Sequence, residues 1–156
     1  WADVAEHVSA LACGLAALGF KRGDNLAIIG DNRPRLYMMM TAVQCLGGVP
    51  VPLYQDAVGA EMLFVLQDAG VRFALAEDQE QVDKLLEIRE QCPQLGRIWY
   101  DDPRGLRNYS EPGLASLDAL IEEGRRFVQA SGPDGTRGAG RAPDEEATIS
   151  RRHVQG

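Results

Sequence analysis

Hydrophobic and polar positions along the chain follow two periods, one of a strand and one of a helix, and the two take turns. From Leu26 to Ile29 an unbroken apolar run closes on Gly30 and Asp31, the pattern of a strand covered on both faces. Pro34 then suits a first helical turn, where its missing N–H costs no intrahelical bond. Leu36, Met39, Met40, Val43 and Leu46 recur at helical spacing and mark one buried stripe. Gly47 and Gly48 supply the stop, and Val49, Val51 and Leu53 restart an extended segment. Strand, helix and strand in this order make a βαβ unit, whose parallel strands need a covering crossover helix.

The same alternation continues on either side. Asp3 is placed to cap a first helix with the stripe Val4, Val8, Leu11, Leu15 and Leu18, closed by Gly19. After Tyr54, Asp56 is the expected N-cap of a helix burying Met62, Val65, Leu66 and Ala69, ended by Gly70. A third strand is predicted over Val71–Ala76. Asp78 and Gln81 form an acidic variant of the capping box, starting a helix through Val82, Leu85, Leu86 and Ile88 that Pro93 stops. A fourth strand spans Arg97 to Tyr100, and Asp101-Asp102-Pro103-Arg104-Gly105 reads as a turn. Ser116 caps a last helix through Leu117, Leu120 and Ile121, running past Gly124 to Phe127 and Val128. The fold expected is α/β: a parallel-sheet, three-layer α/β/α sandwich, flavodoxin- or Rossmann-like and incomplete. Residues 1–130 form this partial α/β subdomain. Residues 131–156 are rich in Gly, Pro and charge, too poor in apolar groups to offset ordering entropy, and are expected to be disordered.

Composition narrows the function classes. A net charge of -7 argues against a nucleic-acid partner, because phosphate binding needs a basic face. No run reaches the roughly 18 apolar residues of a membrane span, and WADVAEHV lacks the basic and apolar regions of a signal peptide. Cys13, Cys45 and Cys92 are odd in number and widely spaced, and read as buried free thiols on helices in a reducing cytoplasm. His7 and His153 do not combine with them at zinc-site spacing.

Ligands of such folds bind in the crevice beyond the carboxyl ends of the strands. The residues placed there are Gly30-Asp31-Asn32-Arg33, Tyr54-Gln55-Asp56 and Glu77-Asp78-Gln79. No G-x-G-x-x-G, G-x-x-x-x-G-K-[ST] or G-x-S-x-G pattern is present, and no histidine stands near a nucleophile. Asp31, Asp56 and Asp78 could meet at one sheet edge as magnesium ligands, yet each is equally explained as a turn or cap residue. Met38-Met39-Met40 offers a soft apolar surface, but two of the three lie on the core stripe, which favours packing. No residue is therefore assigned as catalytic, cofactor-binding or metal-ligating.

GLAALGFKRGDNLAIIGDNRP, then LGGVPVPLYQDA, AEDQEQVDKLLEI and IWYDDPRGLRNY, resemble in order the amino-terminal subdomain of adenylate-forming acyl-CoA synthetases. The likeness is closest to bacterial long-chain fatty acyl-CoA ligases and runs from Trp1 to Val128. Arg35-Leu36 departs from it, since the family commonly has an acidic residue and a tryptophan after Asn-Arg-Pro. The resemblance implies a two-step ligation in which ATP and a fatty acid give an acyl-adenylate that the CoA thiol attacks. ATP, Mg2+ and CoA are the implied cofactors of the full-length enzyme, with fatty acid and CoA as its partners, in the cytoplasm or peripheral to a membrane. The family's Ser/Thr/Gly-rich phosphate loop, adenine-binding segment and catalytic lysine find no match here, and where that loop should begin the chain reads RRHVQG. Trp1 falls inside the family pattern, after a strand pair placed upstream, so the chain is expected to be a fragment that is inactive alone. Lys84 is the nearest residue to a basic CoA contact known in the wider superfamily, but it misses the matching position and no role passes to it. The alternative is a stand-alone flavodoxin-like binding or interaction module, whose unpartnered sheet edge predicts self-association.

Overall fold

The computed structural model describes residues 1–131. Its elements run α1 (Ala2–Ala17), β1 (Asn25–Ile29), α2 (Pro34–Cys45), β2 (Val49–Leu53), α3 (Gly59–Asp68), β3 (Phe73–Ala76), α4 (Gln79–Ile88), β4 (Arg97–Tyr100), β5 (Leu114–Ser116) and α5 (Leu117–Ser131), with a short 3-10 turn at Arg89–Gln91. All five strands are parallel and lie in the order β2-β1-β3-β4-β5. The tail set apart from residue 131 onward lies, beyond Ser131, outside the described residues.

Strand periodicity sorts the core into two layers of contact. Leu26, Ile28, Phe73, Leu75 and Trp99 face one side and meet α1, α2 and α5 through Leu11, Leu15, Leu36, Met39, Val43 and Leu120. Ala27, Ile29, Ala74, Ala76 and Ile98 face the other and meet α3 and α4 through Met62, Leu66, Val82 and Leu85. Three layers result, as the alternation of periods requires. Phe73 anchors the first side, tilted against Phe20 with ring centroids 5.2 Å apart and stacked on Trp99 at 6.1 Å.

Several local expectations are corrected. Asp3 lies within the first turn of α1, whose N-cap is Trp1 without a side-chain bond. Its charge there still complements the helix dipole. Asp56 does not cap α3. It is held in a turn in which the Ala57 N–H donates to the Tyr54 carbonyl at 3.1 Å, and the helix starts three residues after it, at Gly59 behind Val58. The third strand begins at Phe73, because the Val71 N–H is taken by the Leu66 carbonyl in closing α3. Of the cysteines only Cys92 is buried, beyond the 3-10 turn. Cys13 is half-buried and Cys45 exposed at the end of α2. The short strand β5 was not expected at all. Asp78 caps α4 by accepting the Gln81 N–H, and Ser116 caps α5 by accepting the Ala119 N–H, both as anticipated.

Candidate functional site

The chain leaves β1 towards β2 on one side of the sheet and returns past β1 to β3, so β1 and β3 flank the point where strand order reverses. Their carboxyl ends part there and open the crevice in which this architecture binds ligands. Gly30 follows β1 with φ at +151°, and a Cβ on it would lie 2.5 Å from the Glu77 Cβ. Only glycine lets the chain turn this close to the end of β3.

Glu77 fills the gap. It is 6% exposed and its own N–H extends the ladder to the Ile29 carbonyl at 2.8 Å. One carboxylate oxygen accepts the Asp31 N–H at 2.5 Å, and the other accepts Arg33 Nε–H at 2.6 Å. This bond raises the Arg33 pKa above its already high ordinary value. The Asp31 backbone donor and the Arg33 Nε–H are thus taken by the protein's own acid, while the rest of the Arg33 side chain stays exposed. Alongside, the Asp101 and Asp102 N–H groups donate to the Ala76 and Glu77 carbonyls, carrying β4 into the same junction.

Arg35 reaches across from α2. Its Nη1 lies 2.9 Å from Asp101 Oδ1 and its Nη2 lies 2.5 Å from Asp118 Oδ1 at the start of α5. The contact with Asp101 is an ion pair off the N–H line, and Oδ1 has no aligned hydrogen bond. Burial raises the Asp101 pKa despite the opposing pull of Arg35. Asp102 behaves oppositely: side-chain and backbone bonds from Arg104 hold its carboxyl down at about 2. Together these groups line a cleft of about 290 Å³ whose charges are matched internally.

A second cleft, also about 290 Å³, lies between the ends of β1 and β2 and the start of α2. Ile28, Leu36, Met40 and Leu53 contribute apolar surface, with Asp31, Tyr37 and Tyr54 beside them. Gln79 and Asp83 on α4 both bond the Tyr109 hydroxyl, which donates to Asp83 Oδ1 at 2.6 Å and fastens the loop after β4. Lys84 is equally committed, donating to the Gln55 carbonyl at 2.6 Å and lying 2.9 Å from Glu80.

The three aspartates weighed as metal ligands are not brought together, and no group of three or more His, Cys, Asp or Glu side chains among the described residues is arranged to hold an ion. Met39 is fully buried, while Met38 and Met40 are only partly so. Sequence reasoning missed the Glu77–Arg33 pair and the Arg35 bridge. The available signal was an acid placed immediately after the wholly apolar Phe73–Ala76, where a side chain must either find a partner or face solvent.

The family model described as AMP-binding enzyme matches residues 1–143. The chain belongs to the AMP-binding enzyme family. Within the family it is 28% identical over 123 residues to the long-chain-fatty-acid–CoA ligase FadD15 of Mycobacterium bovis, covering 79% of this chain and 19% of that protein. It is 31% identical over 85 residues to an uncharacterised protein of Mycobacterium tuberculosis, covering 54% of this chain and 48% of the relative. The chain therefore spans about half the length of one relative and about a fifth of the other. The acetoacetyl-CoA synthetase of Streptomyces lividans shares the fold, with a TM-score of 0.69 at 22% identity over 78% of this chain and 20% of that one. Among the described residues of this family member, no helix is long and apolar enough to cross a membrane.

Proposed function

We propose that the chain is the amino-terminal α/β subdomain of a long-chain fatty acid–CoA ligase, supplying scaffold to an enzyme that uses ATP, Mg2+, CoA and a fatty acid, and that its 156 residues are inactive alone. The reaction is ATP-dependent acyl-adenylate formation followed by thioester formation with CoA. One observation carries the reading: Glu77 takes the Asp31 N–H and the Arg33 Nε–H, so two of the donors at the end of β1 are committed to holding the scaffold together and not to a transferring phosphoryl group. The identity with a long-chain ligase over 79% of the chain supports the acyl class. The proposed setting is the cytoplasm, with the full-length enzyme peripheral to a membrane.

ATP–pyrophosphate exchange with a panel of fatty acids tests it. No exchange is expected from the isolated chain, and exchange is expected when the chain replaces the matching segment of FadD15. Turnover by the isolated chain, or a folded but inert chimera, overturns the proposal. The strand order β2-β1-β3-β4-β5 favours a second reading, a stand-alone flavodoxin-like binding or interaction module. Calorimetry with nucleotides, CoA and flavin decides between them, since tight binding by the isolated chain belongs only to the second.

A further inference from the structure

The cleft between β1, β2 and α2 has a chemistry that the acyl-activating reading leaves unused. Its apolar part is built by Ile28, Leu36, Met40 and Leu53, and its aromatic part by Tyr37 and Tyr54, which are 51% and 86% exposed. The Tyr37 hydroxyl donates to Asn32 Oδ1 at 2.7 Å, which ties this ring to the loop after β1. Asp31 supplies the charge. Its N–H is committed to Glu77, but among the described residues no Lys, Arg or His forms an ion pair with its carboxylate. Arg33, two residues on, attracts the Asp31 charge at longer range while its hydrogen bond goes to Glu77.

We infer that this cleft binds an amphipathic organic cation, a primary or quaternary alkylammonium whose carbon chain lies on the apolar surface and whose charge rests between Asp31 and the tyrosine rings. Three physical terms point the same way. A carboxylate whose neighbouring cation, Arg33, is hydrogen-bonded to a second acid keeps a net attraction for an ammonium group. Tyrosine faces attract the same cation through their quadrupoles. The molecule's net charge of -7 adds a field of the same sign. A fatty acid presents a carboxylate of the same sign as Asp31, so this cleft selects against the substrate of the proposed ligase and is a separate site from any acyl-binding one.

NMR titration of the full chain with hexylammonium, tetramethylammonium and hexanoate tests the assignment. Saturable shifts of the Tyr37 and Tyr54 ring signals are expected with both ammonium probes, with hexylammonium the tighter and a dissociation constant on the order of 1 mM. Hexanoate is expected to leave them unmoved. Asp31→Asn should weaken hexylammonium about tenfold, and added salt should weaken it further in the native chain but little in the variant. The Glu77 contact survives this substitution because it uses the Asp31 backbone N–H, and circular dichroism verifies that the variant folds. Tyr54→Leu provides the second variant, weakening tetramethylammonium more than hexylammonium because it removes a π face and keeps apolar surface. Equal binding of hexanoate, no saturation by either ammonium, or affinity unchanged in Asp31→Asn overturns the inference.

Discussion

At the scale of single residues, Glu77 and its neighbours set the behaviour of the junction. Replacing Glu77 with Ala strips the Asp31 N–H and Arg33 of their shared acceptor. Losing hydrogen bonds to a charged group in a nearly buried position should cost about 2 kcal/mol, read as a lower urea midpoint with an unchanged slope. The adjacent acids Asp101 and Asp102 should titrate on opposite sides of the ordinary carboxylate value, visible in carboxyl-carbon NMR. Asp102 is held at about 2, so the stability it contributes is present above 3.8 and fades as pH falls towards 2. Asp101 has the reverse sign. Its folded pKa is raised, so its contribution is full below 3.8 and is lost as pH rises through the raised value. Asp101→Asn should therefore flatten the stability profile just above the ordinary carboxylate range, and a profile identical to the native one there would remove burial as the cause.

At the scale of elements, the α1–α5 pair shows what sequence period conveys and what it omits. Antiparallel contact brings Gly14 under Leu120 and Gly124 under Ala10, where a Cβ on Gly124 would fall 1.8 Å from the Ala10 carbonyl oxygen. Neither backbone has room to yield, so Gly124→Ala should destabilise by about 3 kcal/mol, measured by thermal or urea unfolding. A small effect would mean that the helices separate freely. The apolar stripes of both helices were legible because burial repeats at the helical period, and so were β1, β2 and β4, whose composition and stops agree with their structure. What stayed hidden depends on partners distant in sequence. The reason for Gly124 lies more than a hundred positions away in α1. β5 is three half-buried residues after an irregular loop, too short to carry a period, and it exists because Ile98 and Tyr100 offer it a parallel ladder. The cap at Asp56 failed because a turn at Tyr54 consumed that residue first. The site divides the same way: its loops were placed correctly at the strand ends, whereas Glu77–Arg33 and Arg35–Asp101 are long-range pairs that no local pattern encodes.

At the scale of the whole molecule, the question is whether the sheet, whose edge strands among the described residues are β2 and β5, can pair with another copy through β2. β2 forms one edge, and its sequence is VPVPL. The Val49 N–H donates inward to the Asp24 carbonyl at 3.0 Å, and Val49 stands in register with Asn25 of β1. Backbone groups alternate along a strand, so Val49, Val51 and Leu53 present theirs to β1 while Pro50 and Pro52 face outward. Proline has no N–H, and the outer side of β2 is left with carbonyl acceptors only. A second copy approaching through the same edge brings acceptors against acceptors, which blocks a ladder while leaving the nearby exposed Tyr54, Val58 and Phe64 available to side-chain contact. Replacing Pro50 and Pro52 together with Val restores both outward donors and keeps the strand-forming character of the segment. Light scattering and thioflavin fluorescence should then show more association and cross-β growth than the native chain at the same concentration. Equal behaviour of the two would assign protection of this edge to something other than its prolines.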